Sequence, residues 1–197
     1  MSQRIAFFDF DGTITTKDTL LEFIKFRKGS LGFYSGFGLH LPWLVLMKAG
    51  VLGNQEVKER MLTWFFKNET LSSFQESCKA FSEKVIPSLV RPGAWSEFER
   101  LEKEGYQLVI VSASPDHWIE GFARQIRADL IATRLEIKDD KLTGRIQGRN
   151  CYGVEKVARI REKYDLAAYE HILAYGDSSG DLPMLDLAHQ RNYKPFR

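Results

Sequence analysis

Cysteine is scarce in this chain of 197 residues. The two present, Cys78 and Cys151, form no CxxC pair, and no Cys/His spacing of a zinc site occurs. That excludes a fold built on disulfides or structural zinc and points to packed thiols in a reducing compartment. Excess charge of one sign is also missing: 28 Lys and Arg against 26 Asp and Glu leave a net +2, too little to draw the protein to nucleic acid. There is no internal repeat and no low-complexity linker. One long apolar run exists, Leu31 to Leu52, and it is interrupted by Ser35, His40, Pro42 and several glycines, with Lys48 inside. A span needs about 20 largely apolar residues and usually tolerates few such breaks. The run therefore reads first as a segment buried between two parts of the protein, second as an interfacial segment at a membrane surface, and third as a true span. His40 has no partner histidine at metal spacing. Met1-Ser2-Gln3-Arg4 leads straight into an apolar strand with no secretory signal, so a cytoplasmic location is expected.

What is present is a soluble-type composition, 44% hydrophobic and 27% charged. The length suits one good core plus a small accessory domain. The decisive stretch is Ile5-Ala6-Phe7-Phe8-Asp9-Phe10-Asp11-Gly12-Thr13. Its first four residues are apolar and strand-like. Asp9 and Asp11 then follow at i and i+2, which face the same way on a strand. Two close carboxylates repel unless a cation or a proton lies between them.

Three further stretches answer this one. Leu108 to Val111 is an apolar strand that stops on Ser112. Cys151-Tyr152-Gly153-Val154-Glu155-Lys156 puts a lysine in the first turn of a helix. Leu173-Ala174-Tyr175-Gly176-Asp177-Ser178-Ser179-Gly180-Asp181 is a second apolar strand entering an acidic turn. Four acids, a serine and a lysine near strand ends suit a divalent cation and a phosphoryl group. Seen singly, each has a plainer reading: an Asp-Gly turn, a turn serine, a solvated lysine, a helix-start acid at Asp181.

In this order and spacing the four stretches resemble the haloacid dehalogenase (HAD) superfamily, most closely its phosphoserine-phosphatase-like branch. The resemblance implies an α/β fold, a Rossmann-like parallel sheet with helices on both faces, plus an all-α cap inserted after the first strand. The core would be residues 1–16 and 92–197, the cap 17–91. It implies a phosphomonoester hydrolase using Mg²⁺ and acting on a small phosphorylated substrate. Asp9 would be the nucleophile and Asp11 the general acid/base. Asp9, Asp11 through its carbonyl, Asp177 and Asp181 would surround the metal. Gly12, Thr13, Ser112, Ala113 and Lys156 would hold the phosphate. Asp18 and Arg60 are the candidates for substrate choice. Ser114 and Lys138 fit these roles less well by position. Two departures leave the substrate open: Ser112 is followed by Ala113-Ser114-Pro115 rather than Gly-Gly, and Gly180 stands where the branch commonly has Asn. Alternatives are a phosphatase of a lipid head group such as phosphatidylglycerophosphate, docked through Leu31 to Leu52, and an aspartyl-phosphate phosphotransferase.

The rest of the pattern is helical up to Pro92, with helices expected over Asp18–Phe26, Gln55–Phe66 and Leu71–Ile86. It then alternates: helix Ala94–Glu104, strand Gln107–Ser112, helix Asp116–Ile126, strand Asp129–Thr133. A hairpin about Asp139-Asp140 follows, then helix Val154–Tyr164, strand His171–Tyr175, helix Asp181–Ala188 and an edge strand over Arg191–Phe196.

Overall fold

The structure, a computed structural model, describes residues 3–197. Strand β1 (Gln3–Phe8) is central. Its residues Ile5 to Phe8 have no exposed surface, as a strand covered on both faces requires. Beyond it the described chain forms α1 (Thr19–Lys48), α2 (Asn54–Phe66), α3 (Leu71–Lys84) and a short α4 (Ile86–Leu89). Then come α5 (Pro92–Lys103), β2 (Tyr106–Pro115), α6 (Asp116–Gln125) and β3 (Asp129–Thr133). A hairpin of β4 (Leu135–Lys138) and β5 (Lys141–Ile146) precedes α7 (Val154–Lys163), β6 (Tyr169–Gly176), α8 (Leu182–Leu185) and β7 (Gln190–Tyr193).

The main sheet has the order β3-β2-β1-β6-β7, and its neighbours pair in parallel. All its strands therefore end on one edge. The chain leaves β1 toward β2 on one side and returns through β6 on the other. A crevice opens at that reversal, beyond the end of β1. Two apolar layers hold the sheet. Phe8 stacks on Tyr175 at 4.2 Å and meets Phe98 edge-on at 5.2 Å on one face. Phe7 packs edge-on against Tyr164 at 5.9 Å on the other. Truncating either phenylalanine to alanine would cost about 3–5 kcal/mol.

Helices α1 to α3 form a bundle around Phe23, which touches Phe66, Phe74, Phe81 and Trp118. The β4–β5 hairpin joins this bundle rather than the main sheet. Asn68 N–H donates to the Leu142 carbonyl at 2.8 Å, Leu142 N–H to Glu69 at 3.0 Å, and Leu71 N–H to Asp140 at 2.8 Å.

Most expected elements lie within a residue or two of their sequence positions. Three differ in substance. The stretch after Lys28 is helical: α1 runs on to Lys48, broken only at Gly29, whose φ of 70° lies in the region glycine favours. The expected buried placement between two parts of the protein holds for one side only: Phe37, Leu44 and Met47 face the groups at the sheet's end, while Leu31, Tyr34, Leu41 and Val45 on the outer side are exposed. The helix expected over Asp181–Ala188 is a tight turn at Ser179–Asp181 plus the single turn α8, which Pro183 helps to start. The last strand stops at Tyr193, before Lys194 takes a positive φ of 55°. No helix among the described residues is long and apolar enough to cross a membrane.

Candidate active site

The site is built where β1, β2 and β6 end. Asp9 N–H donates to the Tyr175 carbonyl at 2.9 Å, extending the β1–β6 ladder by one bond and fixing Asp9 at the crevice. The chain then turns sharply over Phe10–Ile14 with Gly12 at φ 86°. A Cβ on Gly12 would meet Asp177 Oδ2 at 2.7 Å, so glycine is what lets that carboxylate close over the turn.

Lys156 is the cation of the site. From the first turn of α7 it donates to Asp9 Oδ1 at 2.6 Å and to Asp181 Oδ1 at 2.7 Å, and is itself 1% exposed. Burial opposes its charge, but the two carboxylates outweigh that and hold its pKa above the ordinary lysine value. Asp9 is different. Burial pushes it up to about 7, Asp181 and Asp11 add to the rise, and Lys156 only partly opposes them. One lysine does not balance three acids in a dry site.

Carboxylate oxygens of Asp9, Asp177 and Asp181 lie within 4.8 Å of one another. The donors are all oxygen, with no His or Cys, which is the chemistry Mg²⁺ takes. The three acids are not equivalent. Asp181 accepts on Oδ2 from Ser178 Oγ at 2.8 Å and from the N–H groups of Ser178 and Asp177 at 3.0 and 3.2 Å, and on Oδ1 from Lys156. Four donors engage its two oxygens, against two each for Asp9 and Asp177, so it is the acid least open to a cation and would mainly shape the 177–178 turn and steady Lys156. Asp9 and Asp177 are the pair that fits direct ligation. Thr13 Oγ1 links them, at 3.0 Å from Asp9 Oδ2 and 3.4 Å from Asp177 Oδ1. Arg197 donates to Asp177 Oδ2 at 2.5 Å.

Asp11 lies in the turn after β1 rather than on the strand, lines the same cavity as Asp9 and is held by other groups. Its Oδ1 accepts from Thr19 N–H and Thr19 Oγ1, both at 2.6 Å, and its Oδ2 from Ser114 Oγ at 2.6 Å. Ser112 is fully buried, accepts from Ser114 N–H at 2.9 Å and reaches Asp11 Oδ2 only at 3.5 Å. Ser114, set aside in the sequence reading, is thus the serine that touches Asp11. Residues 112 and 114 share a face of β2, and that alternation was the available signal.

A cavity of roughly 330 Å³ lies above these groups. Asp9, Asp11, Lys156, Ala113 and Ser114 line its floor, and Leu20, Leu21, Phe37, Leu44, Met47, Val57 and Met61 its apolar wall. Asp18 and Lys58 stand between floor and wall. Asp18 caps α1 by accepting from Leu21 N–H at 3.1 Å, and its open surface faces the cavity. Burial, then Asp11, raise its pKa to about 6. Lys58 donates to the Ala113 carbonyl at 2.6 Å and to Asn150 Oδ1 at 3.3 Å, and burial lowers its pKa.

Arg60 is not brought to this cavity. It pairs with Glu56 at 3.0 Å and lies over the Trp43 ring at 4.3 Å, on the outside of α2. The helical wheel explains the correction. Val57, Met61, Leu62, Phe65 and Phe66 define the inward arc; at about 100° per residue Lys58 falls within it and Arg60 opposite. Tyr152 was also not singled out: its ring covers Gly180, where a Cβ would meet it at 2.2 Å. Lys138 lies away from the site, exposed on the hairpin beside Glu136 at 3.4 Å.

Comparison with known proteins agrees with this geometry. A family model of haloacid dehalogenase-like hydrolases matches residues 6–186. Protein CicA of Caulobacter vibrioides is 38% identical over 193 residues, covering 96% of this chain and 85% of that protein. A Mycobacterium tuberculosis protein named as a probable phosphatase is 30% identical over 206 residues, covering 100% and 70%. Among solved structures, a protein of unknown function from Bordetella pertussis superposes with a TM-score of 0.85 at 22% identity, covering 97% of this chain and 89% of the other. A phospho-aspartyl intermediate analogue of phosphoserine phosphatase superposes at 0.63, also at 22%, covering 97% and 86%. The two structures share the fold with this chain.

Proposed function

The chain belongs to the haloacid dehalogenase-like hydrolase family, and on that premise we propose that it is a Mg²⁺-dependent phosphomonoester hydrolase working through a phosphoaspartate on Asp9. It is a phosphatase. The observation that carries the finer reading is Lys156, sealed from water and shared between Asp9 and Asp181 at the crevice of the sheet.

A phosphate monoester resists attack because its own charge repels nucleophiles, so the protein must place one in line and offset the spreading charge. In this reading an Asp9 oxygen attacks phosphorus. The bond to the alcohol oxygen breaks, and the proton on Asp11 passes to that oxygen as the alcohol leaves. Asp11 then takes a proton from water, whose oxygen attacks the phosphorus of the phosphoaspartate. The Asp9–phosphorus bond breaks and inorganic phosphate departs. Ser114 and Thr19 hold Asp11 in line for both transfers, and the Ser114 hydroxyl can turn to accept when Asp11 carries the proton. Lys156 keeps Asp9 oriented and balances the charge gathering on the phosphoryl oxygens. Mg²⁺, held by Asp9 and Asp177 with the Asp11 carbonyl, would supply further charge neutralisation when bound.

The substrate is a small phosphorylated alcohol. Lys58 and Asp18 offer one cation and one acid near the place of its non-phosphate part, and the wall beyond them is apolar. That wall favours an alcohol larger and less polar than serine. The test is hydrolysis of a panel of phosphomonoesters with Mg²⁺, paired with acid-quenched trapping of labelled phosphate on the protein. Turnover without any trapped label on Asp9 would remove the phosphoaspartate from this reading. Label transferred to added alcohols in preference to water would make it a phosphotransferase.

A further inference from the structure

The second half of α1, residues 30–48, is apolar around almost its whole circumference, yet it is covered on one side only. At about 100° per residue, Phe33, Gly36, Phe37, His40, Leu44 and Met47 share the inward arc. Gly36 meets the Phe65 ring, and Phe37, Leu44 and Met47 wall the cavity. The outward arc carries Leu31, Tyr34, Leu39, Leu41, Val45 and Leu46, with Leu31 87%, Tyr34 64% and Val45 59% exposed. A helix apolar all round is normally buried all round. A contiguous exposed apolar surface of this kind marks an interaction site.

Charge says what covers it. Between Glu22 and Glu56 the charged residues are Lys25, Arg27, Lys28 and Lys48, and no acid occurs. Glu69 answers Arg27 and Lys28. Lys25, four residues before the break at Gly29, and Lys48, the last residue of the helix, have no carboxylate partner among the described residues. Phe26, before the break, and Trp64, beside His40 on α2, are further exposed aromatic rings. The outward arc itself offers only the hydroxyls of Ser30, Tyr34 and Ser35 for hydrogen bonding, and that of Ser35 is donated to the Gly32 carbonyl. A protein partner is fixed in register by paired charges and directed hydrogen bonds, and this arc provides almost none. A bilayer asks for none. It asks for apolar side chains that enter the acyl boundary, aromatic rings at the headgroup level, and cations that meet anionic headgroups.

We infer that the outward face of α1 beyond Gly29 docks this protein on an anionic lipid bilayer, with the helix lying in the surface plane. Among the described residues no helix is long and apolar enough to cross a membrane, and the association inferred is peripheral. The contact would run about 28 Å along residues 30–48, with Lys48 at its far end and Lys25 on the segment before the Gly29 break. The same helix walls the cavity on its other side, so docking sets the cavity beside the lipid surface. The inference stands on the exposed face and its charges, apart from the phosphatase reading.

The test is flotation of the whole protein with vesicles of phosphatidylcholine alone and of phosphatidylcholine mixed with phosphatidylglycerol. The wild type is expected to float with the mixed vesicles and far less with the neutral ones, and added salt should weaken it. Leu41→Ser with Val45→Ser should lower binding at least tenfold to any vesicle. Lys25→Gln with Lys48→Gln should lower binding to the anionic vesicles alone, by about fivefold per lysine. None of these residues lines the cavity, so all variants should keep their far-UV circular dichroism and their rate on a soluble aryl phosphate. Absence of wild-type flotation with the mixed vesicles overturns the inference, as does equal flotation of the Leu41/Val45 variant with its fold intact. A concentration-dependent dimer in sedimentation that the same pair of changes dissociates, without vesicle binding, assigns the face to a second copy and overturns it too.

Discussion

Lys156 donates to Asp9 at 2.6 Å from a side chain that water does not reach. Such a pair is weak evidence of stability while intact, but breaking it leaves a charge stranded. In Lys156→Met, Asp9 and Asp181 would both lose their cation. The cost should be about 3–5 kcal/mol, or roughly 6–20 °C of melting temperature for a chain of this size. Mg²⁺ should return part of that loss. Calorimetry in chelator and in Mg²⁺ checks both statements, and an unchanged melting temperature in chelator would show that the acids do not depend on this lysine.

Asp9→Asn keeps the shape of the side chain and removes the attacking charge. Turnover should fall at least a thousandfold, about 4 kcal/mol of barrier, with the fold retained. Residual hydrolysis within about tenfold of wild type would sink the nucleophile assignment.

Exhaustive chelation should abolish hydrolysis, and Mg²⁺ should restore it far better than Ca²⁺. The donors are all oxygen and tightly set by Gly12 and Thr13, which suits the smaller, stricter ion. Full activity in chelator counts against the metal reading.

Lys58 and Asp18 should govern the substrate, and Arg60 should not. Lys58→Met should raise KM for the preferred substrate roughly ten- to a hundredfold if its charge meets the substrate, the worth of a charge-assisted contact. Asp18→Asn keeps the cap on α1, so any change in KM confined to amino-bearing substrates reports a contact with a cation. Arg60→Met should leave KM alone, because its guanidinium lies over Trp43. Steady-state kinetics on all three variants decide among these roles, and a KM effect at Arg60 alone would reverse the assignment.

Gly144→Ala should destabilise the protein by about 1–3 kcal/mol or more. Its φ is 83°, and an added Cβ would sit 2.3 Å from the Thr63 Cα on α2. Gly148→Ala is the control: its φ of 79° carries the same backbone strain, but nothing lies within 4 Å. The difference between their unfolding midpoints in denaturant isolates the packing of hairpin on helix. Equal midpoints would mean that the hairpin gives way without cost.

The parts legible in the sequence were those set by local rules. An apolar strand ending in two same-facing acids located the crevice, and Asp139-Asp140 marked the hairpin to the residue. Lys156 and Asp181 were read from order along the chain, and the fold brings them together at 2.7 Å. Arg60 was misplaced because the reading followed a resemblance rather than the wheel of α2, which turns Lys58 inward instead. The outer face of α1 was illegible for a different reason. Hydropathy tells how apolar Leu31 to Leu52 is, while what covers each side depends on residues far along the chain, such as Phe65 and Trp64, which close on Gly36. The Asp181 turn was read as a longer helix: Ser178 and Asp181 form a capping box, a local sign that a helix starts but not that it stops after the single turn of α8.

The hairpin's attachment to the helices has a mechanical consequence. Residues 134 and 147, where it leaves the sheet layer, are joined by a bond from Gln147 N–H to the Arg134 carbonyl at 2.8 Å. Thr15 and Val90, where the helices leave it, are likewise bridged, with Arg91 N–H on the Ile14 carbonyl at 2.8 Å. Any swing that uncovers the crevice must therefore turn about two short double-stranded necks at once, like a door on a pair of hinges. Two paired necks resist twisting more than two single strands would, so helices and hairpin would move together.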